Sequence, residues 1–184
     1  QSLGIVHRDV SPPNVLVSKQ GEVKLTDFGL ARAASNVQVS ETDVVKGKFA
    51  YLSPEVVDGK PADPRADIYS VGIILWEMLC GRKLFAGKND LETVDLVRKG
   101  EIPKPSTLRP DADDDLDRIV LRVLARNPKR RYQTAREFEQ ELADYLFKHN
   151  LRATSSDCAT CLRDLMNAET DTEFFDVLAV LRAE

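Results

Sequence analysis

Asp67 to Cys80, DIYSVGIILWEMLC, constrains the fold of this chain more than any other stretch. It is apolar nearly all round, which suits a helix buried on every side, and Gly81 directly after it suits a C-cap. Its longest uncharged run, Ile68 to Trp76, is only nine residues, well short of the roughly 20 that span a bilayer. The rest of the chain must therefore supply elements that cover this helix. Leu91 to Lys99 and Leu116 to Arg126 have helical patterns, the second closed by Asn127-Pro128. Glu137 to Lys148 is a further helix, with Phe138, Leu142, Tyr145 and Leu146 on one stripe. His149 to Glu184 holds a polar link and two more amphipathic helices. Only Val15-Leu16-Val17 and Val23-Lys24-Leu25 lean to β, as a hairpin with Gly21 in its turn. The fold class is α+β, mostly helical with a small hairpin near the start.

At 184 residues, 42% hydrophobic and 30% charged, the chain suits one compact domain with a small appendage. A net charge of −4 argues against a general nucleic-acid binder. Three cysteines, an odd number, point to a reducing compartment and so to the cytoplasm, with no disulfide framework. Cys158 and Cys161 have CxxC spacing, but with Leu162, Leu165 and Met166 they fall on one helical face, so core packing is the better reading. Asp111 to Asp115 imitates a calcium loop, yet its sixth position is Leu116 and its twelfth Arg122. The run serves better as the acidic start of a helix. Lys129-Arg130-Arg131 is too short to argue for nucleic acid. Thr170 with Glu173 has capping-box spacing and opens a last helix, Phe174 to Leu181, whose apolar face is expected to dock on the same lobe, the alternative being a partner or a further downstream segment.

The chemistry gathers around the hairpin. Asp9 lies in the loop before its first strand, Asn14 enters that strand, and Asp27 leaves the second. Pairing of the strands brings all three to one end, where two carboxylates and a carboxamide can hold magnesium and orient a hydroxyl. Mg²⁺ takes hard oxygen ligands, few from protein and the rest from phosphates and water. From Ala31 to Lys48 all periodicity is lost, and a loop that long in a compact domain is usually functional or mobile.

These residues closely resemble the protein kinase family. His7-Arg8-Asp9 with Asn14 is similar to its catalytic loop, Asp27-Phe28-Gly29 to its magnesium-binding motif, and Ser53-Pro54-Glu55 to its Ala-Pro-Glu motif. Asp67 matches the aspartate that anchors the catalytic loop from below, and Arg131 the arginine that pairs with Glu55. The resemblance covers residues 1–148, leaving 149–184 as a C-terminal helical extension, and the cast is that of bacterial serine/threonine kinases of eukaryotic type. It implies ATP and Mg²⁺ as cofactors and a protein substrate. Asp9 would orient the hydroxyl and accept its proton, while Asn14 and Asp27 would hold the metal. Leu16 would floor the adenine, with Ile74 and Met78 beneath it, and His7 and Phe28 would be packing residues that align the site. Arg8 would meet a phosphate on the long loop, at Thr42 or else Ser40.

Two positions depart from the family pattern. Ser11 stands where a phosphate-contacting lysine is usual, and Lys48 where a threonine is usual. The expectation is an exchange, with Lys48 reaching Asp9 and the Ser11 hydroxyl supplying the polar bond. The family's small lobe, with its glycine-rich loop, strand lysine and helix glutamate, is not among these residues. The chain is expected to be a large lobe whose small lobe is missing, and inactive alone. A catalytically silent interaction module is the competing function.

Overall fold

The computed structural model describes residues 5–28 and 48–167. The strands β1 (Val15–Val17) and β2 (Val23–Leu25) pair antiparallel, Val15 opposite Leu25 and Val17 opposite Val23. Helices follow in the order α1 (Pro54–Val57), α2 (Pro64–Cys80), α3 (Asp90–Lys99), α4 (Asp114–Val123), α5 (Ala135–Lys148) and α6 (Ser155–Asn167). This is the mostly helical α+β architecture read from the sequence.

α2 is the axis of the core. Asp63 caps its start by accepting from the Arg65 N–H, Pro64 opens it, and Gly81 ends it at φ 65°, the left-handed region that glycine enters without penalty. Tyr69, Ile73, Trp76 and Leu79 on α2 are buried against Leu116, Ile119, Val120 and Val123 of α4, with Phe85, Val97 and Tyr132 closing the cluster. α4 starts two residues before the apolar pattern does, because Asp113 accepts from the Leu116 N–H at 2.8 Å and so caps the helix. Asp117, one turn into α4, is buried, where it accepts from the Ser106 N–H at 2.9 Å and hydroxyl at 2.6 Å. Thr134 caps α5 in the same way, accepting from the Glu137 N–H.

α6 differs in detail from its sequence reading. Cys158 and Cys161 are half-buried and unpaired, and Leu165 and Met166 are exposed. The buried contact is made instead by Ala159, beside the hairpin turn. A Cβ on Gly21 would stand 1.8 Å from the Ser155 carbonyl oxygen and 2.8 Å from the Ala159 nitrogen, so only glycine lets the turn and helix meet. Among the described residues no three His, Cys, Asp or Glu side chains are grouped to hold a metal, and no helix is long and apolar enough to cross a membrane. Ser40, Thr42 and the segment from Phe174 to Leu181 lie outside the described residues.

Candidate active site

The loop before β1 is fastened to α2 by one carboxylate. Asp67 accepts from the His7 N–H at 2.7 Å through Oδ2 and from the Arg8 N–H at 2.8 Å through Oδ1. Holding two successive amides bends the chain, and Arg8 sits at φ 68° in the left-handed region that costs a non-glycine residue free energy. His7, 3% exposed, places Nε2 2.9 Å from the Thr26 carbonyl and its ring centroid 4.7 Å from that of Phe28. The loop and the exit of β2 are thereby joined. Asp27, the next residue along, is also left-handed at φ 56°. Two strained residues flanking one packed histidine mark a site whose geometry the surroundings enforce.

Asn14 completes this end of the hairpin. It is 7% exposed, its Nδ2 donates to the Asp9 carbonyl at 2.7 Å, and its own carbonyl accepts from the Thr26 N–H at 2.8 Å. Because the amide nitrogen must face the Asp9 carbonyl, the side-chain oxygen is the atom left over. Asp27 follows Thr26 at the same end of the hairpin, and carboxamide and carboxylate oxygens are the hard donors that Mg²⁺ selects when phosphates and water supply its other ligands. The residues present therefore fit magnesium.

Lys48 arrives from the far side. Its Nζ lies 2.9 Å from Asp9 Oδ2, within the 4 Å of a direct ion pair. The pair is open to solvent, with side-chain exposures of 46% and 31%, so it adds about 0–1 kcal/mol to stability. Its consequence is to set a positive charge beside the carboxylate. Ser11 does not take the complementary part expected of it. Its side chain is 3% exposed, and its hydroxyl has no hydrogen-bond partner among the described residues. The cause is local: Ser11 precedes Pro12-Pro13, which favours extended backbone (φ −156°, ψ 159°), and its carbonyl rather than its hydroxyl accepts from the Asn14 N–H. Leu16 and Met78 are 54% and 45% exposed, while Ile74 packs against the core.

The sequence reading overlooked the support beneath Lys48. The turn Lys48–Tyr51 is bound to α2 because Ser70 Oγ donates to the Tyr51 carbonyl at 2.7 Å and Tyr51 Oη donates to Glu77 Oε2 at 2.7 Å. Lys83 closes the group, 3.0 Å from Glu77 and bonded to the Tyr51 hydroxyl. Burial, the largest influence, pushes the Tyr51 hydroxyl above its ordinary pKa, so it remains a donor. A carboxylate inside the apolar run ILWEML was the available signal. Farther below, Arg131 meets Glu55 in two parallel bonds of 2.7 Å, and its remaining donors reach the carbonyls of Ala125, Arg65 and Arg126. The Arg131 guanidinium is thus fully hydrogen-bonded although 1% exposed, and it stacks 4.5 Å over the Tyr69 ring.

The helical lobe thus carries a hairpin that presents an aspartate, an asparagine and a second aspartate at one end. A family model described as protein kinase domain matches residues 1–145, and the chain belongs to that family. It is 42% identical over 149 residues to the tyrosine-protein kinase MasK of Myxococcus xanthus, covering 81% of this chain and 23% of that protein. It is 43% identical over 142 residues to the serine/threonine-protein kinase PknB of Mycolicibacterium smegmatis, covering 76% and 23%. With the serine/threonine-protein kinase PknL of Mycobacterium tuberculosis the identity is 42% over 132 residues, covering 72% and 33%. The chain thus spans 23–33% of the length of these relatives.

Proposed function

We propose that this chain forms the catalytic lobe of an ATP- and magnesium-dependent serine/threonine protein kinase. The observation that carries the reading is the 2.9 Å approach of Lys48 to Asp9, at the end of the hairpin where Asn14 and Asp27 also lie. Asp9 orients the substrate hydroxyl and takes its proton at the carboxylate. Lys48 supplies positive charge where the transferring group gathers negative charge, as electrostatic catalysis requires. Asn14 and Asp27 hold the magnesium, which when bound neutralises the charge of the ATP phosphates. Asp67, through the two loop amides, keeps Asp9 in place. The names of the PknB and PknL relatives support serine and threonine as acceptors, while MasK is named a tyrosine kinase.

The test is transfer of labelled γ-phosphate from ATP to a general protein substrate by the protein that carries this chain, followed by phosphoamino-acid analysis. Phosphoserine and phosphothreonine are expected, abolished by Asp9→Asn and by EDTA. Phosphotyrosine alone overturns the specificity. An absence of transfer favours the second reading, a silent helical interaction module. The 184-residue chain by itself holds no GxGxxG loop to cover ATP phosphates. It is therefore expected to bind Mg·ATP weakly on its own, and a micromolar dissociation constant in isothermal titration contradicts this.

A further inference from the structure

On another face of the lobe, α1, α4 and the turn Pro128–Arg130 enclose a cleft of about 880 Å³. None of Asp9, Asn14, Asp27 or Lys48 lines it. Five cations do: Lys60 on one side, and Arg118, Arg122, Arg126 and Arg130 along α4 and the segment after it. The two acids of the lining are already engaged, Glu55 by both arms of Arg131 and Asp58 by Arg98 at 3.3 Å. Arg118 and Arg122 turn to Glu141 and Glu137 of α5, outside the cleft. Lys60, Arg126 and Arg130 are exposed and make no ion pair among the described residues.

Such a concentration of positive charge runs against the composition of a chain with net charge −4. Three exposed cations with no ion pair among the described residues, set around one concave surface, suit an anionic occupant. The walls between them are apolar, with Pro54, Leu121, Ala125 and Pro128, so the cleft matches carboxylates interspersed with apolar side chains better than a phosphate backbone. We propose that this cleft is a docking site for an acidic segment of a partner protein, whose carboxylates pair with Lys60, Arg126 and Arg130. Docking here is separate from phosphoryl transfer and is measured without nucleotide.

The experiment is fluorescence anisotropy of the full chain with a fluorescein-labelled peptide of Glu-Ala-Glu-Leu repeats. The same peptide with glutamine for every glutamate is the control. The acidic peptide should bind at least about tenfold more tightly than the control, and its affinity should fall as salt is raised. Arg126→Glu combined with Arg130→Glu should weaken it by about tenfold or more, and so should Lys60→Glu, which approaches from the opposite wall and leaves the segment after α4 untouched. Should the double variant lose its cooperative thermal transition, Lys60→Glu alone decides. Equal binding of the two peptides, unchanged affinity in the charge reversals, or tighter binding of a single-stranded oligonucleotide than of the acidic peptide overturns the proposal.

Discussion

Asp9 and Lys48 show how one exposed ion pair matters for where it puts charge and not for stability. Lys48→Ala should leave the melting temperature nearly unchanged, since the pair is worth about 0–1 kcal/mol. It should lower turnover of the kinase that carries this chain by about ten- to a thousandfold, the usual worth of one electrostatic group at a reacting centre. Phosphate-transfer assays on a folded variant check this, and an unchanged rate removes Lys48 from the mechanism. The opposite case is Arg131 with Glu55, a pair closed to solvent. Glu55→Ala leaves a guanidinium buried without its counter-charge and should cost about 3–5 kcal/mol, read as a lower urea midpoint. A loss below about 1 kcal/mol would mean that the carbonyls around Arg131 suffice to hold it.

Among the elements, α2 carries both the core and the site. One side of it packs on α4 so closely that a Cβ on Gly72 would stand 2.7 Å from Val123 Cγ1 and 3.1 Å from Leu124 Cδ2. Gly72→Val should therefore overpack the contact and cost about 1–3 kcal/mol, despite valine's better helix propensity. Chemical denaturation measures it, and a stabilised variant would show that α2 and α4 can move apart. From its other positions α2 sends Asp67 to the loop before β1, and Ser70 and Glu77 to the turn that bears Lys48. The two halves of the Asp9–Lys48 pair, 39 positions apart, are thus referred to one rigid helix.

For the molecule as a whole, the perturbed groups define a pH range of stability. The Arg65 guanidinium holds the Asp63 carboxyl below its ordinary 3.8, and the Gln133 N–H holds Glu137 below 4.5. Groups lowered in the folded state stabilise it above their unfolded pKa, and that contribution disappears as pH falls through the folded one. Tyr51 is raised above 10.0 by burial, and Tyr132 is pushed up to about 12 by the same cause. Groups raised in the folded state stabilise it below their unfolded pKa, and that contribution disappears as pH rises through the folded one. The urea midpoint should be flat between about pH 5 and 9, falling on the acid side near 4 and on the alkaline side above 10. A midpoint that rises on acidification from pH 5 contradicts this assignment.

Much of this architecture was determined by local sequence, because its causes are local. Gly81 stops α2, Asp113 starts α4, and the alternation of Val15–Val17 with Val23–Leu25 makes a hairpin whose ends must meet. Asp9, Asn14 and Asp27 were legible for the same reason, since strand pairing alone brings them to one end. What adjacency could not decide lay in contacts between distant segments. Ser11 was expected to bond through its hydroxyl, but the two prolines after it turned its carbonyl to Asn14 instead. The partners of Glu77, Tyr51 and Lys83, come from segments that the helix's own pattern does not reveal. The basic cleft draws on α1, α4 and a turn that no short window of sequence unites. Side-chain pairing across the fold depends on the packing angles of helices, and those follow from the shapes of whole buried faces rather than from any single stretch.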